Sequence, residues 1–389
     1  MSPARAIFSR ITLALTLLST LYVNAAPESA PPTTSLLFWT QAQKEAGFGN
    51  IANLFTTREI KAGGEVLALP QSLHDFSHLK YTLDGEDFSL QDHIDLNRVG
   101  GLLVVHKGQV VFEKYGLKND ASTKWIAFSV AKSVTSMLIG AAIQDGYIAS
   151  VKDPVTDYLP RLRGSAYDKA TIEDVLHMAS GVDWNEDYFD PESDVSKAGG
   201  SNAMELIDYL NTLEVNETPG KVFNYSTGET NLVGAILRAA IGNNESAYLE
   251  QKIWKPFGME SDANWLIDPV YGVETGGCCL NATLRDYARI GLFAMNDGVL
   301  KDGTRVLPEG WMKASTTASS GFQGYGYLWW LMPDGTFAAQ GIFGQLIWID
   351  PANETVIVTH SAWPKAVGEE FTQHRWAMVE AIKNALLKK

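Results

Sequence analysis

The sequence predicts an α/β (α+β) protein, an antiparallel sheet flanked by helices with a mainly helical lobe inserted into it. Three observations predict this. Two strand-like runs around a tight turn lie early, at residues 101–106 and 109–115, and an almost wholly apolar run follows at 133–143. Short β-rich runs and a last amphipathic helix close the chain, and what lies between reads as helices. At 389 residues with 46% hydrophobic content, the chain can bury a large core.

In order, the chain opens with Arg5 and Arg10 before an apolar stretch at 11–23 and small residues at 23–26. This is the pattern of a cleaved export signal over 1–26, and the apolar stretch is short of the ~20 residues a membrane-spanning helix needs. The expected mature protein is periplasmic or secreted, with no stable membrane insertion. The formal net charge of −14, more negative still without those arginines, argues against nucleic acid or anionic membrane surfaces as partners. Residues 27–98 form an extension of unclear role, Pro-rich at 30–32 and weakly periodic beyond. Its His74 and His78 lack a third metal ligand and read as loop residues.

The α/β lobe is expected over 99–145 and 266–389. Within it, Trp125-Ile-Ala-Phe-Ser129-Val-Ala-Lys132 leads into the apolar run, which reads as a helix buried on all sides and stopped by Gly146. Ser129 and Lys132 stand one turn apart on one helix face, the arrangement of a hydroxyl activated by an amine. An N-cap serine beside a solvated lysine gives the same spacing. A second copy, Ser77 to Lys80, falls in a polar stretch and reads as surface.

The helical lobe is expected over 146–265. Thr171 to Asp174 reads as a capping box opening a short helix, and 204–213 and 230–241 are amphipathic. Between them, 183–200 is acidic and aromatic without helical period, a loop suited to wall a pocket. Its Trp184 and Tyr188, with Trp329 and Trp330, are candidates for an apolar acyl pocket, although core packing is the commoner role of such aromatics. Tyr225 follows a Pro-Gly turn and precedes a helix, so its hydroxyl could project toward the lysine.

In the last part, Thr283 caps a helix, and strands are expected over 324–331, 336–340, 344–350 and 355–361 before a helix at about 369–387. Gly341 and Gly344, at the start of the third of these strands, would allow a substrate close to backbone N–H groups. The adjacent Cys278 and Cys279 read as two buried thiols, because a disulfide between neighbours is strained.

A Ser-x-x-Lys helix after a β-hairpin, a Tyr-Ser-x loop, and a Gly-containing strand near the C-terminus together resemble the serine β-lactamase and penicillin-binding-protein superfamily. The resemblance covers about 98–385 and is strongest to the class C β-lactamase-like branch, which includes esterases and 6-aminohexanoate-oligomer hydrolases. Asp153-Pro154, the His177 to Gly181 phrase, Pro219-Gly220 and Gly276-Gly277 support it. It implies a β-lactamase/transpeptidase-like fold, with Ser129 as nucleophile, Lys132 as its partner and Tyr225 as proton shuttle. The N–H groups of Ser129 and Gln345 would form the oxyanion hole. Either Lys132 or Tyr225 as phenolate could be the base.

Two departures bear on the substrate. The tyrosine motif, which usually ends in Asn, ends here in Thr227, and Ile342-Phe343-Gly344 stand where Lys-Thr-Gly or His-Thr-Gly is usual. Thr227, Ile342, Phe343 and Gly344 are therefore the expected substrate-binding residues, and the carboxylate-binding cation of that motif is replaced. A small uncharged ester or amide fits better than a β-lactam or D-Ala-D-Ala peptide, and a ligand-binding protein without catalysis is the alternative of a different class. No cofactor or metal is expected, and the lack of Gly-x-Ser-x-Gly and His-Glu-x-x-His argues against α/β-hydrolase and zincin chemistry. Nothing in the sequence sets an oligomeric state.

Overall fold

The structure, a computed structural model, describes residues 35–199 and 201–388. The expected export segment at 1–26 lies outside the described residues, as does the Pro-rich start of the extension.

In chain order the strands are β1 (Thr57–Ile60), β2 (Lys80–Leu83), β3 (Glu86–Ser89), β4 (Val99–His106), β5 (Gln109–Tyr115), β6 (Trp125–Ile126), β7 (Ala263–Leu266), β8 (Leu280–Ala282), β9 (Trp330–Leu331), β10 (Phe337–Gly341), β11 (Gln345–Asp350) and β12 (Thr355–Ser361). The central antiparallel sheet has the order β5-β4-β12-β11-β10-β9. Its early hairpin and its late strands meet at β4 and β12, so the two ends of the expected α/β lobe build one sheet.

Both faces of that sheet are covered. Leu102, Val104, Leu346 and Trp348 pack with Met378, Val379 and Ile382 of the C-terminal helix, Glu369–Leu387. Leu103, Val105, Ile347 and Val358 point the other way, into the core shared with the Val130–Gln144 and Leu284–Met295 helices. Burial on two faces explains why β4 and β11 read as continuous apolar runs rather than alternating ones. The same core continues into the helical segment through Leu232, Val233 and Ile236 of the Thr227–Ile241 helix.

Several local signals are met. The Thr171–Asp174 capping box opens the Ile172–Leu176 helix, and Thr283 caps Leu284–Met295. Gly146, at φ 81°, follows the C-cap of the serine helix in the left-handed conformation expected of it. Ser77 is exposed, and Lys80 opens β2 on the surface.

Other expectations need correction. Of the strand expected at 324–331 only Trp330 and Leu331 pair in the sheet. Leu328 takes φ 61°, which breaks the extended run, and a Cβ on Gly326 would lie 2.0 Å from the Ser315 carbonyl oxygen. The acidic loop contains a short helix, Asp194–Ala198, capped by Ser193. Cys278 and Cys279 are joined in a disulfide rather than standing as two thiols. Cys279 takes φ 136°.

The extension also has a place. A helix at Gln41–Gly47 carries Trp39 and Phe48 at its ends into a cluster with Trp125, Phe128 and Phe343, and β1 pairs with β7 in a second sheet of order β1-β7-β8-β6. The buried Lys44 donates to the carbonyls of Trp363 and Pro364 at 2.8 and 2.6 Å. Among the described residues no helix is long and apolar enough to cross a membrane.

Candidate active site

Ser129 lies where β6 gives way to the Val130–Gln144 helix. β6 pairs with β8, and the Ala127 N–H donates to the Leu280 carbonyl at 2.9 Å, so the chain is held up to the residue before Phe128. Phe128 then takes φ 46°, a left-handed conformation that costs an ordinary residue roughly 1–2 kcal/mol. It is held there by aromatic contacts with Phe48 and Phe343. The turn leaves Ser129 partly exposed while its neighbours from Trp125 to Ala142 are buried. Ser129 occupies the N-cap position, but its side chain makes no capping hydrogen bond. The ordinary capping role therefore does not account for it.

Lys132 is buried, with 1% of its surface exposed. Its Nζ donates to Ser129 Oγ at 3.1 Å, to Thr227 Oγ1 at 3.0 Å and to the Gly277 carbonyl at 2.8 Å. Gly277 can come this close because it lacks a side chain: a Cβ there would lie 2.9 Å from Asn231 Oδ1. Burial lowers the Lys132 pKa to about 8, opposed by the charge of Glu186.

Tyr225 immediately precedes Ser226, the N-cap of the Thr227–Ile241 helix. Its ring stacks on Trp330 at 5.6 Å, and Lys132 Nζ lies 5.5 Å from its centroid. Burial, and then the Glu186 charge, push the phenol pKa up, opposed by a side-chain hydrogen bond with Ser129. The structure thus brings Ser129, Lys132, Tyr225 and Thr227 together. Such a group can present a hydroxyl, an amine able to take its proton, and a neutral phenol able to give one.

The other expected residues divide. Gln345 is buried at the start of β11, and its side-chain amide donates to the carbonyls of Ile342, Phe343 and Ser361 while its oxygen accepts from Trp125 Nε1. This holds the bend between β10 and β11 against the serine loop. Gly341, which pairs with Gln345, is where that bend touches: a Cβ there would lie 2.3 Å from the Ala127 carbonyl oxygen and 3.2 Å from Ser129 N.

Of Ile342, Phe343 and Gly344, only Ile342 is partly exposed. Phe343 points into the aromatic cluster with Phe48, and Gly344 is buried against the Trp363 indole, so neither side has room for substrate. Trp184 is likewise buried, packed over Gly228 and bonded to Glu186, and Trp329 sits in the core against Phe337. Core packing, not pocket lining, accounts for these. Tyr188 and Trp330 remain at the edge of the site, half-buried.

Sequence reasoning missed Glu186. Residues 182–189 alternate inward and outward, which places Trp184, Glu186 and Tyr188 on the inner side. That two-residue period was the signal that could have found it.

Known proteins share this fold. The family described as Beta-lactamase matches residues 91–379. A 6-aminohexanoate-dimer hydrolase from Paenarthrobacter ureafaciens is 29% identical over 300 residues, covering 71% of this chain and 75% of that protein. A solved structure from Bacillus anthracis, described as a candidate 6-aminohexanoate-dimer hydrolase, superposes with TM-score 0.80 at 22% identity, covering 92% of this chain and 100% of the other. A class C beta-lactamase structure superposes with TM-score 0.60 at 16% identity, over 77% of this chain and 95% of the other. With most of its length matched, the chain belongs to the beta-lactamase family of serine hydrolases.

Proposed function

We propose that this protein hydrolyses a neutral ester or linear amide through an acyl group carried on Ser129. The observation that carries the reading is the three-way contact of Lys132 Nζ with Ser129, Thr227 and Gly277. In acylation the Ser129 oxygen attacks the carbonyl carbon and its proton passes to Lys132 Nζ. The carbonyl oxygen gathers negative charge, met by the Ser129 N–H and a backbone N–H of the β10–β11 bend, which the family resemblance implies to be that of Gln345. The leaving group departs with a proton from Tyr225, which is replenished from Lys132. Water then repeats the sequence on the acyl-serine.

Between the two candidate bases, the environment favours Lys132. Burial makes the amine easier to deprotonate and the phenol harder, so Tyr225 is suited to donate rather than to act as phenolate.

The substrate class is supported by Ile342 standing where a carboxylate-binding cation would be expected, and by the relatives described as 6-aminohexanoate-dimer hydrolases. A beta-lactamase from Pseudomonas fluorescens, 26% identical over 165 residues, supports the alternative. A panel of p-nitrophenyl esters, short linear amides and nitrocefin separates them. Ester and amide turnover with little nitrocefin hydrolysis is expected, and nitrocefin turnover exceeding both would replace the proposal. Export with cleavage near Ala25 or Ala26 is also proposed, on the sequence pattern, and N-terminal sequencing of the mature protein tests it.

A further inference from the structure

Glu186 sits behind Lys132 with its carboxylate fully engaged. One oxygen, Oε1, accepts from the Tyr188 hydroxyl at 2.8 Å and from the Thr227 hydroxyl. The other accepts from the Thr227 backbone N–H at 2.9 Å and from the Trp184 indole. A carboxylate offers about four acceptor sites, so these four donors leave none for a substrate cation.

The consequence runs through Thr227. A hydroxyl has one proton, and Thr227 gives its proton to Glu186. Its oxygen can then only accept from Lys132 Nζ, 3.0 Å away. The Gly277 carbonyl, at 2.8 Å, can also only accept. A neutral amine has two N–H bonds and one lone pair, and these two acceptors occupy both N–H bonds. The lone pair is left facing the third neighbour, Ser129 Oγ at 3.1 Å.

We infer that Glu186 is a positioning residue: by holding the Thr227 proton it fixes Thr227 as an acceptor and so aims the Lys132 lone pair at Ser129. This rests on the proposed roles of Ser129 and Lys132. It also accounts for Thr227 at a place where the family resemblance expects Asn. An amide oxygen accepts whatever surrounds it, whereas a threonine hydroxyl does so only if its proton is held elsewhere. Without Glu186 the hydroxyl could turn and donate to the amine, drawing the lone pair away from Ser129.

The groups facing Lys132 are Ser129 on its own helix, Thr227 and the Tyr225 ring from the helix packed against it, the Gly277 carbonyl, and the Glu186 charge. The Tyr188, Tyr225 and Tyr325 phenols, which face Glu186, have raised pKa, by desolvation first, and stay neutral.

The test is a double-mutant cycle on p-nitrophenyl acetate, with pH profiles, using Glu186→Ala in the native and Thr227→Asn backgrounds. In the native background kcat should fall at least 10-fold, a part of the ~10²–10⁴ that general-base catalysis supplies. In the Thr227→Asn background the same change should cost less than about 3-fold, since the Asn oxygen accepts without help. Loss of the carboxylate charge should move the acid limb of kcat/KM to lower pH in both. Equal losses in the two backgrounds, or none in either, would overturn the inference. So would a rise in KM confined to a cationic ester, which would make Glu186 a substrate-binding group. If Glu186→Ala does not fold, Glu186→Met, of similar length and with no oxygen to accept the Thr227 proton, carries the same comparisons. Ser129→Ala run in parallel separates the two levels: its retained turnover removes the acyl-serine reading, whereas its inactivity with equal losses removes only the role of Glu186.

Discussion

The ring of Phe48 meets that of Phe128 edge-on, centroids 5.1 Å apart, so a residue from the N-terminal extension supports the turn that presents Ser129. Phe48 is fully buried and also packs on Phe343 and Trp125, and its carbonyl accepts from the Ile126 N–H at 3.1 Å. It precedes residues 91–379, the part the family shares. Phe48→Ala is therefore expected to lower unfolding free energy by about 3–5 kcal/mol and to lower ester kcat at temperatures where the variant is folded. Denaturant unfolding and turnover measured together check this. Unchanged values of both would mean that the extension is only an accessory layer.

If Lys132 takes the Ser129 proton, the amine must be neutral in the free enzyme. kcat/KM for a p-nitrophenyl ester should then rise with pH through about 8 and level above it. The same residue bears on stability. Its pKa falls from 10.5 in the unfolded chain to about 8, so the native state binds fewer protons between those values and stability rises with pH across that window. Lys132→Met should be inactive yet more stable at pH 7, with the gain shrinking from pH 8 upward. A flat rate profile from pH 6 to 9 would argue for another base.

Tyr225 is placed to protonate the leaving group, and leaving groups differ in how much they need it. An amine departs only when protonated, whereas p-nitrophenolate leaves as the anion. Tyr225→Phe should therefore reduce amide turnover by about 10²–10⁴-fold and ester turnover much less. Equal losses on both substrates would assign the phenol a purely structural role beside Trp330.

How much of this was legible in the sequence depends on whether a signal was local. The serine helix, the capping residues Thr171 and Thr283, and the C-terminal helix announce themselves by apolar run, cap and period. Ser129, Lys132 and Tyr225 were legible because their motifs are short and their neighbours distinctive. Phe343 and Trp184 misled because an aromatic near a motif reads as pocket lining until tertiary contacts show what it packs on. The extension is weakly periodic because its buried residues are irregularly spaced: Trp39 and Phe48 enter one aromatic cluster, while Lys44 between them meets the Trp363 and Pro364 carbonyls. Glu186 was hidden in an acidic loop whose charge suggested solvent.

A buried acid, Glu229, gives a pH prediction away from catalysis. Glu229 is buried; its Oε1 accepts from the Ser180 hydroxyl, and Oε2 has no hydrogen-bond partner among the described residues. Burial raises its pKa from 4.5 to about 8, so the native state holds an extra proton between those values and stability falls as pH rises through them. The slope from one such group is at most about 1.4 kcal/mol per pH unit. Urea unfolding of Glu229→Gln at pH 5 and pH 8.5 should show a smaller loss between the two than the native protein. An identical pH dependence would place the titrating group elsewhere.

The most direct test of the acyl-serine account is intact mass after brief exposure to a p-nitrophenyl ester or a fluorophosphonate, with the adduct located by peptide mapping. One added acyl or phosphonyl group per chain, carried on Ser129 and absent from Ser129→Ala, is expected. An adduct on another residue, or a Ser129→Ala variant that still turns over ester at the native rate, would contradict it.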